Sequence, residues 1–512
     1  AGRGASRASR PGEGPAAGRG RIGRDDRLAA STVLIRDAEL AGRRLDVRLS
    51  GQRLAEIGTA LSRFDGETVL EARGGALIPA LQDHHLHLQA LAAAMESVDC
   101  GPAARTDADA LARALDQAPA ADGWIRGTGY FESVAGPLDR ERLDALAPER
   151  PVRLQHRSGS MWFVNSKGLE RLGLAGAISQ ELERFGVEID DAGRATGRFF
   201  RADEWLRTRW ARQTPPDLGR VGRRLAGFGV AHVTDATPTN GPEEWARFEE
   251  AQATGELPQH VVAMGRLSLS ACRTTSGGPR LPGAPSLRVG PHKILLDEPA
   301  LPDLAALGLA IRRAHEQERT VAIHTVTRAE LLFALAAFDE VGATKGDRLE
   351  HASVAPEDAM ERIRALGLTV VTQPGFVFER GDAYRRDVEA IDQPHLYRLR
   401  SWLARGVPLA GGTDAPFGDP DPWRAIRAAV DRGTRDGATL GSGEALSPEA
   451  ALGLFLPPIA AAASAKEGEA PAPVVGDRAD LCLLALPWAE FRGCPSADAV
   501  VATIRAGQPI HP

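Results

Sequence analysis

Histidines and an aspartate with metal-ligand character stand at the ends of several apolar segments of this 512-residue chain. His85 and His87 are two residues apart, and in a strand such side chains point to the same side, where two imidazoles can bind one ion. His324, His351 and Asp414 close three other apolar segments. Each has an ordinary alternative: a chance pair, a histidine satisfied within the core, or a helix cap. Their combination favours a metal centre.

Lys293 is a further candidate ligand. Only four of the 62 basic residues are lysine, and Lys293 lies inside an apolar segment. Burial is costly for an ammonium group and favours the neutral amine. A neutral lysine amine can add carbon dioxide, and the resulting carbamate has two oxygens that can bridge two divalent ions. The alternative is a salt bridge from Lys293 to Asp297 or Glu298.

The elements that must position these residues are apolar strands alternating with amphipathic helices. Helical patterns cover 303–317, 328–340 and 355–366. Eight strand-like segments separated by helices predict an α/β fold, a (β/α)8 barrel with its chemistry at the carboxyl ends of the strands. The eight segments are 75–81, 229–234, 260–264, 292–296, 320–324, 347–351, 368–372 and 407–411.

The remaining parts of the chain predict three further units. Residues 1–24 are rich in Gly, Ala and Arg and are expected to form a disordered tail. Short β-like segments in 25–75 and 470–512 predict a composite β-sandwich domain built from both termini. The barrel would occupy 76–469. The gap after its first strand is too long for one helix, which predicts a large insertion at about 95–215 with its own strand at 151–155.

Composition narrows the function classes. The formal charge of −6 argues against a general nucleic-acid binder. No segment of 18 apolar residues predicts a membrane span, and no secretory signal is visible. The four cysteines form no CxxC pair, which favours a reducing, cytoplasmic setting.

Several motifs together resemble one known family. They are residues 77–87, 123–130, Asn165-Ser166, Lys293, Ile323-His324, 349–351, Gln373-Pro374, 412–416 and 479–481. Over about residues 28–510 the chain resembles the amidohydrolase superfamily, within its amidohydrolase-3 branch of YtcJ-like proteins. The resemblance implies a metal-bearing barrel with a composite β-sandwich. It also implies His85 and His87 on one ion, His324 and His351 on another, a carboxylated Lys293 between them, and Asp414 as ligand and general base.

These features predict a metal-dependent hydrolase that cleaves an amide-type, non-peptide C–N bond of a small molecule. Two divalent ions, expected to be zinc, would supply a metal-activated hydroxide. Asp414 would take a proton from the attacking water and pass it to the leaving nitrogen. Alternatives are a deaminase, isomerase or esterase of the same superfamily, or a non-catalytic metal-containing binding protein. The one oligomeric state that we consider for this chain is a homodimer.

Substrate contacts are predicted from the insertion and from the loops after the barrel strands. Arg328 stands where relatives usually carry an acid after His324, and it would suit a substrate carboxylate. The alternative role for Arg328 is that of a solvated charge at the start of a helix. The alternative role for the predicted contacts in the insertion is ordinary packing. The predicted contacts are Tyr130, Ser160, Trp162, Asn165, Arg328, Gln373, Phe417 and Trp423.

Overall fold

The fold is known from a computed structural model, which describes Gly2 and residues 32–119, 123–210, 215–273, 287–457 and 466–511. Apart from Gly2, the predicted tail at 1–24 lies outside the described residues. Within the described ranges, no helix has both the length and the apolar character needed to cross a membrane.

An eight-stranded parallel sheet forms a nearly closed barrel, as predicted. Its strands are Leu81–Leu86, Val230–Asp235, His260–Gly265, Leu287–Ile294, Val321–Thr325, Arg348–His351, Thr369–Thr372 and Leu409–Gly411. Each strand pairs in parallel with the next in this order. Beyond the eighth strand, the Asp414 backbone N–H donates to the His85 carbonyl at 2.7 Å, which brings the last strand end to the first.

The first barrel strand differs from the prediction. The apolar segment 75–81 ends where that strand begins, and Leu77–Pro79 instead pairs with Leu481–Leu484 in another sheet. The barrel strand is Leu81–Leu86, which places His85 inside the strand and His87 just beyond it. An apolar segment shows that a strand is buried, but it does not show which sheet the strand joins.

Helices cover the barrel, and their ends carry ordinary stop and start signals. Thr327 forms a capping box with Glu330, and Gly367 ends its helix in the left-handed conformation. The helices of this layer are Leu88–Met95, Leu218–Gly227, Pro242–Ala253, Leu304–Glu316, Arg328–Val341, Glu357–Leu366, Gly375–Asp387, Leu399–Ala404, Pro422–Asp431, Pro448–Gly453 and Trp488–Phe491.

Two four-stranded sheets share one hydrophobic core, to which Ile35, Val47, Leu481 and Ile504 contribute. One sheet contains Thr32–Leu40, Arg43–Ser50, Arg53–Gly58 and Thr68–Glu71, and the other contains Leu77–Pro79, Leu481–Leu484, Val500–Arg505 and Gln508–His511. Segments far apart in the chain therefore meet in one core. The domain boundaries given above stay a prediction.

A six-stranded sheet lies in the chain between the first and second barrel strands. Its strands are Val98–Asp99, Ile125–Tyr130, Val152–His156, Met161–Val164, Val187–Ile189 and Ala195–Phe200, and its helices are Ala108–Asp116, Glu132–Ala135, Arg140–Leu146, Ser166–Arg171 and Asp203–Arg207. Sequence patterning indicated one strand here, because strands such as Ile125–Tyr130 contain glycine and arginine among their apolar residues.

Candidate functional site

Five predicted ligands converge at the carboxyl end of the barrel. The Asp414 Oδ1 atom lies 3.1 Å from Nε2 of His87 and 3.4 Å from Nε2 of His85. The imidazole of His351 lies 4.9 Å from that of His85 and 4.4 Å from that of His324, measured between ring centroids. One ligand atom each from His85, His351 and Asp414 lie within 4.8 Å of one another, a spacing that a bound ion could span.

Lys293 is buried beside this cluster, with 4% of its surface exposed. Its Nζ atom has no hydrogen-bond partner among the described residues, and its charge lowers the pKa of His85. The salt bridge considered above is not formed to Asp297, which pairs with Arg201 at 3.0 Å. Burial lowers the pKa of Lys293 to about 8, so the amine loses its proton easily. An unpartnered amine among imidazoles fits a carbamate that holds metal.

His85 is oriented by a buried acid. Its Nδ1–H donates to Oε2 of Glu350, and Glu350 in turn accepts a 3.0 Å hydrogen bond from Nη2 of Arg348. This leaves Nε2 of His85 directed toward Asp414. Glu350 had no predicted role, although an acid inside a buried strand was a signal that could have found it.

Two other imidazoles are held in the same way. Nδ1–H of His351 donates to Oε1 of Gln373 at 2.7 Å, and Nδ1 of His87 lies 2.9 Å from Oγ1 of Thr237. Gln373, a predicted substrate contact, thus positions a predicted ligand, and its Nε2 atom is buried with no partner in the described chain. Nothing in the sequence around Thr237 indicated its role, because the pairing depends on the register of two strands.

The protonation states suit metal binding. Burial and then the charge of Lys293 lower the pKa of His85 to about 3, which keeps the imidazole neutral. Burial raises the pKa of Asp414, but the hydrogen bond from His87 and the neighbouring histidines outweigh it and hold that pKa below its usual range. Neutral imidazoles and an ionised carboxylate are the forms that bind cations.

The backbone is constrained at the same place. His351 and Asp414 have φ of 72° and 57°, a left-handed conformation that costs free energy in residues other than glycine. At Gly412 a Cβ atom would lie 2.5 Å from Cβ of His85, so only glycine allows the eighth strand to approach the first this closely. Such constraints are typical of functional sites.

A cavity of about 450 Å³ lies between residues that precede the second barrel strand and residues that follow its seventh and eighth strands, and its lining does not include the predicted metal ligands. Phe417, a predicted substrate contact, lines it, and its ring lies 5.3 Å from that of His87. The same ring packs against Gly159 of the insertion. The Phe417 ring therefore lines the cavity and also contacts one of the predicted ligands.

Three other predicted substrate contacts are fully buried and have structural partners. Tyr130 donates from its hydroxyl to the Gly136 carbonyl, and Trp423 donates from its indole to the Phe228 carbonyl at 3.0 Å. The Asn165 side chain caps its helix and accepts from the Val152 N–H. Aromatic and amide residues in these motifs stabilise the insertion and the barrel wall, in place of the substrate contact expected of them.

The last three predicted contacts also have protein partners. The Trp162 indole donates to Asp203 at 2.8 Å, and the Ser160 carbonyl accepts from the Arg201 backbone. Arg328 begins its helix and forms a 3.0 Å ion pair with Asp392. Arg328 therefore has a partner within the protein, and its contact with a substrate anion stays a prediction.

A second histidine–aspartate group consists of His232 on the second barrel strand, His260 at the start of the third barrel strand, and Asp480. Nε2 of His232 and of His260 lie 3.2 and 3.7 Å from Oδ2 of Asp480. Here the Arg478 guanidinium already occupies the position that a cation would take, 2.9 Å from Asp480 and 2.7 Å from His260. The group forms an ion-pair junction between the barrel and the C-terminal sheet.

Comparison with known proteins identifies the family of this chain. A sequence model of the amidohydrolase family matches residues 68–511, so the chain belongs to that family. It is 28% identical over 498 residues to the N-substituted formamide deformylase of Arthrobacter pascens, covering 86% of this chain and 89% of the relative. Membership of this family implies a hydrolase that uses a divalent metal.

Solved structures show the same fold. A metal-dependent hydrolase from Pyrococcus horikoshii OT3 superposes with a TM-score of 0.68 at 20% identity, covering 94% of this chain and all of that one. One from Pyrococcus furiosus gives 0.63 at 22% identity, covering 87% and 97%. At these identities the likeness concerns the fold alone.

Proposed function

We propose that this protein is a metal-dependent amidohydrolase that cleaves an amide-type, non-peptide C–N bond of a small molecule. The observation that carries the proposal is the convergence of His85, His87, His351 and Asp414 beside the unpartnered, buried amine of Lys293. Structural histidines rarely gather in this number around an ionised carboxylate. A buried amine without a hydrogen bond is costly unless a bound group satisfies it.

The ligand set suits two divalent ions, with zinc the expected metal because imidazole and carboxylate ligands match it. The proposed ligands are His85, His87, Lys293 as its carbamate, His324, His351 and Asp414. When bound, such ions supply Lewis acidity, which makes a water molecule more acidic and polarises a carbonyl group. His351 donates its Nδ1–H to Gln373, which leaves the Nε2 lone pair of His351 available to an ion.

Asp414 is the proposed proton carrier. Its carboxylate is ionised, and Oδ1 already accepts a hydrogen bond at 3.1 Å from His87. As water adds to the amide carbon, Oδ1 takes one proton from it. The C–N bond then breaks with its electrons on nitrogen, and Asp414 returns the proton to that nitrogen. The products are an acid and an amine, so atoms and charge balance.

The relatives suggest where to look for substrates. The Arthrobacter pascens enzyme is named for N-substituted formamides, and similarity over 86% of this chain supports formamides as first probes. The cavity of about 450 Å³ is large enough for a substituent such as a phenylethyl group.

Metal content and turnover test the proposal together. Protein purified from zinc-supplemented medium should carry about two divalent ions per chain, and it should hydrolyse N-(2-phenylethyl)formamide. The matched ester 2-phenylethyl formate and an amino-substituted pyrimidine are the comparison substrates. Asp414→Asn should retain the fold and lose the activity. Less than about half an equivalent of metal would end the binuclear proposal. Loaded protein that turns over only the ester or the pyrimidine would change the reaction class.

A further inference from the structure

The cavity that Phe417 lines has more basic than acidic residues in its wall. Strand Val152–His156 of the insertion and its following turn form one side, and helix Gly375–Asp387 and the loop after the eighth barrel strand form the other. Five arginines line it, namely Arg157, Arg224, Arg380, Arg424 and Arg435, against the acids Asp99, Glu379 and Asp419.

Two of the acids do not balance this charge. Asp419 is paired with Arg424 at 2.8 Å, so these two charges cancel. Burial raises the pKa of Glu379 to about 7, and its Oε1 accepts a 3.1 Å hydrogen bond from the Asp419 N–H. Near neutral pH, Glu379 is therefore only partly ionised. The cavity keeps a net positive charge.

Arg157 and Arg380 face this cavity without an acidic partner. Neither guanidinium lies within 4.0 Å of a carboxylate of the described chain. Both are held by aromatic rings, since Arg157 lies 3.3 Å from the ring centroid of Phe131 and Arg380 lies 3.8 Å from that of Phe376. Stacking fixes the plane of each guanidinium while its N–H edge stays available.

The two arginines also interact electrostatically, and Arg380 holds the Phe417 loop that contacts His87. Burial, and then the charge of Arg380, lowers the pKa of Arg157 to about 10. Arg380 donates from Nη2 to the Phe417 carbonyl at 2.6 Å, and the Phe417 ring contacts His87. Burial lowers the pKa of Arg380, but surrounding groups, led by Tyr384 and including Glu379, outweigh it and raise that pKa, so the cost of the like charge falls on Arg157. An anion bound beside both guanidinium groups would offset this cost.

We infer that Arg157 and Arg380 together bind a carboxylate of the substrate. This inference rests on the proposed function and narrows it to acidic amides, of which N-acylated amino acids are the simplest. The planar fork of each guanidinium matches a carboxylate in two parallel hydrogen bonds, which also orients the amide toward Asp414. Arg328, the residue expected from sequence to do this, is satisfied by Asp392.

A matched pair of probes tests the inference. Racemic N-formylphenylalanine and N-(2-phenylethyl)formamide differ only in the carboxylate. Steady-state kinetics on the zinc-loaded full chain should favour the acid in kcat/KM. Arg157→Gln and Arg380→Gln should each lower kcat/KM for the acid by about 10- to 100-fold, mainly through KM, because a charge-assisted hydrogen bond is lost. The neutral formamide lacks the carboxylate, so the same variants should lower its kcat/KM far less than that of the acid.

Two further variants separate binding from structure. Arg380→Lys keeps the charge without the fork and should recover part of the preference for the acid. Arg386→Gln is the control, because Arg386 lies on the same helix but is exposed and paired with Asp387. It should change neither substrate.

The outcomes are distinguishable from those of the proposed function. Equal losses for both probes, or no preference in the wild type, would show that Arg380 only holds the Phe417 loop and would overturn the inference. If neither probe is hydrolysed, the proposed function fails on these substrates. Calorimetric binding of N-formylphenylalanine then decides the inference. Weaker binding to Arg157→Gln and Arg380→Gln supports it, and unchanged binding refutes it.

Discussion

Replacing Lys293 separates a carbamate ligand from a structural cation. A salt-bridge role requires only a positive charge, whereas a carbamate requires a primary amine that can lose its proton. Lys293→Arg keeps the charge but cannot form a carbamate at neutral pH, so it should lose metal and activity. Lys293→Ala should lose both as well, and acetate or propionate should restore part of each by filling the vacated position.

The size of the effect follows from burial. Burial lowers the pKa of Lys293 from 10.5 to about 8, which corresponds to a cost of about 3 kcal/mol for the charged form. Because the folded pKa is the lower one, this cost is fully present below about pH 8 and disappears above pH 10.5. Lys293→Met fills a similar volume without charge. Metal-free Lys293→Met should therefore be more stable than the metal-free wild type by up to about 3 kcal/mol, although inactive.

The assay combines elemental analysis, turnover and denaturant unfolding at pH 7.5. Lys167→Arg serves as the control, because Lys167 lies on the surface of the insertion with half of its side chain exposed. It should match the wild type in all three measurements. An active, metal-loaded Lys293→Arg protein would refute the carbamate. A metal-free Lys293→Met protein that is several kcal/mol less stable would show that the charge is satisfied in a way that the reasoning has missed.

Three further predictions concern other parts of the molecule. Glu350→Gln should weaken metal affinity by about 10- to 100-fold, measured by competition with a chelator, because His85 loses the carboxylate that orients it. Stability should fall as pH drops from about 6.5 to 4, because His260 of the ion-pair junction binds a proton more weakly when folded, and it should fall further below about pH 4, where Asp480 acts in the same direction. Burial lowers the pKa of His260, and hydrogen bonds from His232 and His260 lower that of Asp480 despite its burial. Urea midpoints across this range test it, and a flat profile contradicts it. A chain that begins at Asp25 should melt within about 2 °C of the full chain, because the composition of 1–24 allows little burial.

Much of the barrel could be predicted because buried parallel strands are short apolar segments that end in polar residues. Seven of the eight predicted segments coincide with barrel strands over most of their length. The exception is 75–81, which shares only Leu81 with its barrel strand and whose residues 77–79 pair with Leu481–Leu484. The insertion was less predictable. Its strands carry glycine and charged residues within a mixed sheet, so neither a continuous apolar segment nor a clean alternation marks them.

The ligand cluster could be predicted because strand ends converge in any such barrel. The groups that orient it could not, because contacts such as Thr237 to His87 depend on register and on side-chain direction. Arg157 and Arg380 were missed for a related reason. One follows a strand of the insertion and the other lies inside a helix, so only the folded chain brings them to the same cavity.

Closure of the barrel has a consequence for how the protein is made. Gly412 packs on His85, and the Asp414 N–H binds the His85 carbonyl, so residues 85 and 414 meet only after the seven strands between Leu86 and Gly412 exist. Leu77–Pro79 remains unpaired for longer, because its partner strand begins at Leu481. On the ribosome the amino-terminal histidines therefore stay without their carboxylate partner until most of the chain has emerged. The proposed metal would therefore be loaded late in the life of each chain, and a nascent chain arrested before residue 414 should emerge without a complete site.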